Sequence, residues 1–426
     1  MPCANRASQR SYDGVAVSAT PQQRLAADVL IIGAGPSGSA AAISLARCGV
    51  DVLLVDQQVF PREKVCGDAL IPDALAALES LGVRAAVCSR SRTLPGATVF
   101  GPNGRSLFLN GECAVLPRRV LDELLRAAAV SAGARFLSPC SAVGPLVASS
   151  RYTGARFKRL PDGACVDVEA RWTLLATGAA GEVLRAFGVA QRVEASATAA
   201  RLYLQVPGDL AAQTSSLVLS FDRRIFPGYG YGWLFPAPDN VLNVGVGIFH
   251  DVTHKAAPAN LHHVMERFIT TFAPARLASE AAISRTRFIG ARLRTGLTGA
   301  DVGRPGLLVT GEAAGATYSF SGEGIGKALE TGMLAAATIC DGLMRSADAE
   351  EIAAVYSRQL ESRFRERFRA YKLVQDYLAR PGVGQFLEWR ANAGRFVHQQ
   401  LEGLFNETSH PARLFSVSGL VRALFQ

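Results

Sequence analysis

The sequence predicts an α/β fold built on a parallel sheet, and three adjoining stretches carry the prediction. Asp28–Gly33 (DVLIIG) is a short unbroken apolar run, the pattern of a strand buried on both faces. GAGPSG at 33–38 opens a helical run, SAAAISLARCG. DVLLVD is a second buried strand, and it ends in an acid, Asp56. Strand, GxGxxG turn, helix, strand and acid in this order form the unit that cradles a dinucleotide. Gly33 permits the tight turn, Gly35 lets the backbone approach a pyrophosphate, and Gly38 lets the helix pack close to the strand. Pro36 and Ser37 begin the helix, whose free N–H groups face the anion. Asp56 stands where it accepts hydrogen bonds from a ribose.

Further along the chain, TAARLYLQV, SLVLSF, GYGWLF and NVLNVGVGIF between 196 and 249 have strand character, and a helix follows near 258–274. They predict an antiparallel sheet. Tyr229, Tyr231, Trp233 and Phe235 alternate and share one face. They make either an aromatic wall for a flat or apolar substrate or an ordinary packed face. Gly306–Thr310 (GLLVT) is another buried strand, and a glycine-rich turn and a long helix follow it. An acid after a strand, Glu312, together with glycines at a helix start can hold a ribityl chain and the edge of a flavin. From 346 the pattern is helical, with a solvated basic helix at RFRERFRAYKLV.

Composition bounds the rest. A chain of 426 residues, 49% hydrophobic and 19% charged, has the material for two or three domains. The net charge of +9 suits an anionic cofactor, an acidic membrane surface or an acidic protein. No basic stripe interleaved with aromatics points to nucleic acid. The eight cysteines include no CxxC pair, which speaks for reduced thiols in a cytoplasmic protein. Residues 1–26 are polar and read as a flexible extension without a secretory signal. The apolar run at 29–46 is broken by Gly and Pro, so no transmembrane segment is expected, while peripheral membrane contact stays open. HDVTH at 250–254 has the histidine spacing of metalloproteases but Asp in place of Glu and no third ligand, so no metal site is expected.

The pairing of GxGxxG with a late strand, Gly311–Glu312 and a helix resembles the flavoprotein hydroxylase superfamily. PRRVLDELLRAAAVSAGA at 117–134 matches its Rxx[LF]DxxLxxxA pattern, with Arg118 at the flavin-contacting arginine. Three motifs resemble the geranylgeranyl-reductase-like branch, which neighbours the flavin-dependent halogenases. FPREKVCGD at 60–68 resembles the KxCGG loop, YGWLFP at 231–236 matches YxWxFP, and SGEGIGKALETGMLAA from Ser321 resembles the [ST]GEGI helix. The resemblance implies a glutathione-reductase-like FAD-binding Rossmann domain at 27–190 and 295–345. A substrate-binding β-sheet domain at 191–294 and a C-terminal helical region at 346–426 complete the chain. It implies noncovalent FAD, held by Gly33, Gly35, Pro36, Ser37, Gly38, Asp56, Arg62, Lys64, Cys66, Gly67, Arg118, Gly311, Glu312, Gly322, Gly324 and Ile325. The 60–68 loop would run past the isoalloxazine ring.

Four departures from the family pattern bear on the reaction. Asp68 replaces the second glycine of KxCGG, Glu312 the usual aspartate, Ser319 a proline, and Thr177 the acid of an ADG stretch. No second GxGxxG unit binds NAD(P)H, so reduction would use transient nicotinamide contact or reduced flavin from a separate flavin reductase. The residues favour a monooxygenase that uses O2 to hydroxylate an electron-rich aromatic ring. The chain also resembles branch members that hydroxylate a tryptophan within a peptide during tryptophylquinone cofactor biogenesis, and that resemblance implies one such ring, carried on an acidic protein or peptide. Asp68 would be the base, Tyr231 its partner, and Cys66 and Trp233 further candidates. The argument rests on Asp68, because a buried carboxylate without partners is costly in a lipid tunnel. The alternatives are a prenyl reductase delivering hydride to isoprenoid double bonds, a halogenase (YGWLFP lacks the first tryptophan of WxWxIP), and a non-enzymatic flavin-binding regulator.

Overall fold

The computed structural model describes residues 23–425 apart from 193, 227–228, 251–259 and 381. Most of the HDVTH stretch therefore lies outside the described residues, as do residues 1–22 of the expected extension. The extension is shorter than the sequence suggested. Gln23–Ala26 already belongs to the first strand, Gln23–Ile32, paired in parallel with Val166–Ala170.

The first sheet is doubly wound. Its main path runs through Gly303–Arg304, Leu307–Val309, Cys165–Leu175, Gln23–Ile32, Val52–Val55 and Arg135–Leu137. All neighbours but the outermost pair are parallel. The apolar runs that announced these strands are buried on both faces: Val29, Leu30, Ile31, Leu54 and Leu308 are wholly inaccessible. The helices Pro36–Arg47 and Ile325–Met344 lie side by side over one face. Their closeness depends on Gly332, where a Cβ would stand 2.2 Å from the Ser37 carbonyl oxygen.

The second sheet has nine strands and is mixed. Leu217–Ser220 pairs in parallel with Arg92–Phe100, and the other pairs are antiparallel. It recruits Ala69–Leu70, Arg92–Phe100 and Ser106–Val115, so it is not confined to residues 191–294. Sequence order hid this, because these strands are inserted between parts of the nucleotide-binding sheet.

The C-terminal region is helical. Ala349–Leu378 begins at Asp348, whose side chain accepts the Glu351 N–H. Tyr356, Leu360, Phe364, Phe368 and Tyr371 recur at helical spacing and are buried, which leaves the charged face outward. The helix Arg395–Phe405 then returns over the second sheet beside Ser106–Val115. Among the described residues no helix is long and apolar enough to cross a membrane.

Candidate flavin and substrate site

The dinucleotide cradle is built at the ends of the first two parallel strands. Asp56 accepts the Ala34 N–H at 2.8 Å on one oxygen and the Gln58 N–H at 2.8 Å on the other. Gly33 has φ +108°, and a Cβ there would lie 2.4 Å from the Ala176 carbonyl oxygen. A Cβ on Gly35 would instead point at two guanidinium groups, Arg62 at 3.4 Å and Arg118 at 3.9 Å. Both are held by buried Asp122, Arg118 through two bonds of 2.7 and 2.8 Å and Arg62 at 3.0 Å. Two oriented cations thus stand over the start of the helix Pro36–Arg47, an arrangement suited to a pyrophosphate. The buried Thr177 hydroxyl lines the same cavity and has no hydrogen-bond partner among the described residues. Cradle, cations, Asp56 and a spare hydroxyl together fit FAD.

The late glycine-rich segment closes the other side. Glu312 accepts the Arg294 N–H at 3.3 Å, and Lys64 Nζ stands 3.9 Å from its second oxygen. Lys64 is therefore partly buried in the site. Gly322, Gly324 and Ile325 border the same space, whereas Gly311 is absent from its lining and packs against Ser37, whose Cβ would lie 2.7 Å from a Cβ on it. A Cβ on Gly322 would lie 2.8 Å from the Tyr231 hydroxyl oxygen, and one on Gly324 would lie 2.6 Å from Thr317 Oγ1.

Asp68 is not free to act as a base. It is wholly buried, with φ +67°, a left-handed conformation that Asp tolerates better than most residues. This explains how it stands where the family pattern has glycine. Its carboxylate accepts the Tyr203 O–H at 2.6 Å, the Asn243 side-chain N–H at 2.7 Å and the Arg118 backbone N–H at 3.2 Å. Burial pushes its pKa up to about 6, and these donors restrain the rise. Asn243 also donates to the Cys66 carbonyl at 2.9 Å and accepts the Trp233 indole N–H at 2.9 Å. Asp68 therefore ties the 60–68 loop to the second sheet. Burial raises the Cys66 thiol too, against the neighbouring Arg118 guanidinium, so Cys66 stays a thiol facing the cavity.

The expected loop and aromatic strand do border one cavity, of about 640 Å³. They also touch: a Cβ on Gly67 would lie 3.0 Å from the Phe235 ring and 3.5 Å from Trp233 Nε1. Tyr231, Trp233 and Phe235 form a ladder with ring centroids 6.1 and 6.4 Å apart. The Tyr229 hydroxyl donates to the Phe320 carbonyl at 2.8 Å and the Tyr231 hydroxyl to that of Ser321. Tyr231 lines the cavity, whereas Tyr229, expected in the same wall, does not. Beyond the ladder the wall is aliphatic. Val99, Leu107, Leu109, Leu217 and Leu219 come from the second sheet, and Leu401, Leu404 and Phe405 from the helix Arg395–Phe405. Sequence reasoning missed Tyr203, Asn243 and this aliphatic end, none of which carries a local motif. Glu323 lies within the SGEGI stretch, yet only its glycines and Ile325 were read as site residues.

Comparison with known proteins bears on the chemistry. The FAD binding domain family matches residues 26–216, and the geranylgeranyl reductase catalytic domain family matches 199–284. A menaquinone reductase of Mycolicibacterium smegmatis is 33% identical over 326 residues, which cover 74% of this chain and 77% of that protein. Digeranylgeranylglycerophospholipid reductase 2 of Methanosphaera stadtmanae is 28% identical over 82% of this chain and 87% of its own. A geranylgeranyl bacteriochlorophyll reductase-like structure from Thermoplasma acidophilum shares the fold, with TM-score 0.73 at 21% identity over 95% of this chain and 96% of that one. A flavin-dependent brominase does so at 0.72 and 19%, over 94% and 100%. These findings overturn aromatic hydroxylation as the expected reaction, because the relatives at 28–33% identity are named reductases and the family on the second sheet is a reductase family. The expectation rested on Asp68 as an available base, and its three donors remove that support.

Proposed function

This chain belongs to the geranylgeranyl-reductase-like branch of the FAD-dependent oxidoreductases, and we propose that it saturates isolated double bonds in the polyprenyl chain of a lipid. Menaquinones and digeranylgeranyl lipids differ in their head groups and share a chain of trisubstituted alkenes. A reaction common to both therefore acts on the chain. The observation that carries the reading is the cavity wall, which passes from the cofactor cradle along ring faces to an aliphatic end. A greasy chain is favoured on such a surface by roughly 25 cal/mol per Å² of apolar area buried.

The objection drawn from Asp68 falls with its geometry, since its carboxylate is matched by donors and kept out of the tunnel's polarity balance. FAD, once reduced, supplies a hydride. The protein's own residues do the rest: Arg62 and Arg118 bind the pyrophosphate, and the Asp68–Asn243 knot fixes the 60–68 loop. Tyr229 and Tyr231 hold the 320–321 backbone, and the aromatic ladder orients the alkene and excludes water.

The test is anaerobic incubation of the FAD-loaded protein, reduced with dithionite, with a polyprenyl quinone. Mass spectrometry should show two hydrogens added to the chain for each bond saturated, with the ring skeleton unchanged. A product altered only in its ring, or none at all, overturns the reading.

A further inference from the structure

We infer that Glu323 is the proton donor of the reduction and that the buried carboxylate of Asp73 stands behind it to return the proton. The inference rests on the reading of function above. Hydride addition to an alkene leaves the other carbon in need of a proton, and the aliphatic part of the wall supplies none, while burial makes the Cys66 thiol and the Tyr231 hydroxyl weaker acids.

Glu323 lines the cavity in the loop before the helix Ile325–Met344, and its carbonyl accepts the Tyr318 N–H at 2.9 Å. Asp73 lines the same cavity, and a Cβ on Gly326, three residues on from Glu323, would lie 2.1 Å from Asp73 Oδ2. Asp73 belongs to a buried cluster around Lys327. Lys327 Nζ is 2.9 Å from Glu330, 2.9 Å from Glu407 and 3.3 Å from Asp73. An ammonium has three hydrogens, and three carboxylates already claim them. Arg367 serves Glu407 at 2.8 Å. A further carboxylate at Glu323 would meet uncompensated negative charge, so the neutral acid is the stable form. Burial, with the charges of Asp73 and Glu407, raises its carboxyl well above the usual range, against the Ser321 hydroxyl and Lys327. Tyr231 and Tyr371 line the same cavity and are themselves held protonated by burial. Asp73, pushed up to about 7 mainly by burial, is able to exchange a proton near neutrality. Glu330, partly exposed, brings the cluster to solvent.

The step balances. The alkene π bond breaks, one carbon takes the hydride with its electron pair, and the other takes the Glu323 proton. The O–H bond breaks and leaves a carboxylate, which solvent reprotonates by way of Asp73.

The test uses Glu323→Gln in the full chain, with two readouts. Infrared difference spectra, wild type minus variant at pH 7, should show the carbonyl stretch of a protonated carboxylic acid, with or without FAD. The variant, loaded with FAD and reduced by dithionite, should saturate polyprenyl quinone on the order of 10²-fold more slowly or worse, the usual range for a lost general acid. Absence of the carbonyl difference overturns the inference, and so does saturation at the wild-type rate. The infrared readout needs neither cofactor nor turnover, so weakened FAD affinity does not blunt it. A wild type that leaves polyprenyl chains untouched removes the reading of function and the donor with it. A wild type and a variant that both saturate them remove the donor alone.

Discussion

At Asp68 three donors converge on one buried carboxylate, and each belongs to a different part of the chain. Asp68→Asn can keep an oxygen toward Tyr203 and Asn243 only by turning its amide N–H onto the Arg118 N–H, and the other orientation sets it against two donors. The Asn243 amide cannot turn to accommodate it, because its oxygen is held by Trp233. We expect a loss of about 1–3 kcal/mol, the cost of an unsatisfied buried polar group, measured as a lower urea midpoint. The pH dependence follows from the raised pKa. Asp68 titrates at about 6 in the fold against 3.8 as the ordinary value, so the folded state binds its proton more tightly. Its stabilising contribution is full below 3.8 and is lost as pH rises through 6. Stability of Asp68→Asn should therefore fall less than that of wild type across this interval, and equal slopes would refute the assignment. At Gly35 the expectation concerns the cofactor. Gly35→Val would fill the space before Arg62 and Arg118, and FAD affinity by fluorescence titration should collapse while the far-UV spectrum is kept.

Elements differ in how much the sequence discloses about them. The unit from Asp28 to Asp56 was legible because its strand, turn and helix are contiguous and its glycines answer close steric demands. The late Gly311–Ile325 segment was legible for the same reason. The second sheet was legible only in part: alternation revealed Tyr231–Phe235, but nothing local announced that Arg92–Phe100 would join it. Tyr203 and Asn243 meet Asp68 across 135 and 175 residues, a distance over which only the finished fold brings them together. The aromatic strand also depends on its neighbour. A Cβ on Gly245 would stand 2.0 Å from the Trp233 ring. Gly245→Ala should displace that indole from Asn243 and cost about 1–3 kcal/mol, as overpacking does, read from chemical denaturation. A variant with wild-type stability would show that the ladder adjusts freely.

Across the whole molecule, the cofactor cradle comes from one sheet, the aromatic and aliphatic walls from the other, and the cover from the helix Arg395–Phe405. Chain length of the substrate should then be read far from the cradle. Leu107→Trp would narrow the aliphatic end, three strands on from Trp233, so reduction of long polyprenyl quinones should fall while short prenyl substrates keep their rate. Uniform loss for both would place Leu107 elsewhere in the reaction. Because the cradle closes between elements remote in sequence, FAD should also raise the unfolding temperature in proportion to its binding, an increase absent in Gly35→Val.

The three tryptophans report on three places at once. Trp172 is sealed in the parallel sheet, Trp233 stands in the cavity wall, and Trp389 is half exposed on a C-terminal helix. Light absorbed by Trp233 has an acceptor beside it when a flavin is bound, so its emission should be quenched first and most. The red-shifted emission of Trp389 should persist as an internal reference. The molecule thereby carries its own optical gauge of occupancy, and Trp233→Phe should silence the quenched component while leaving the other two.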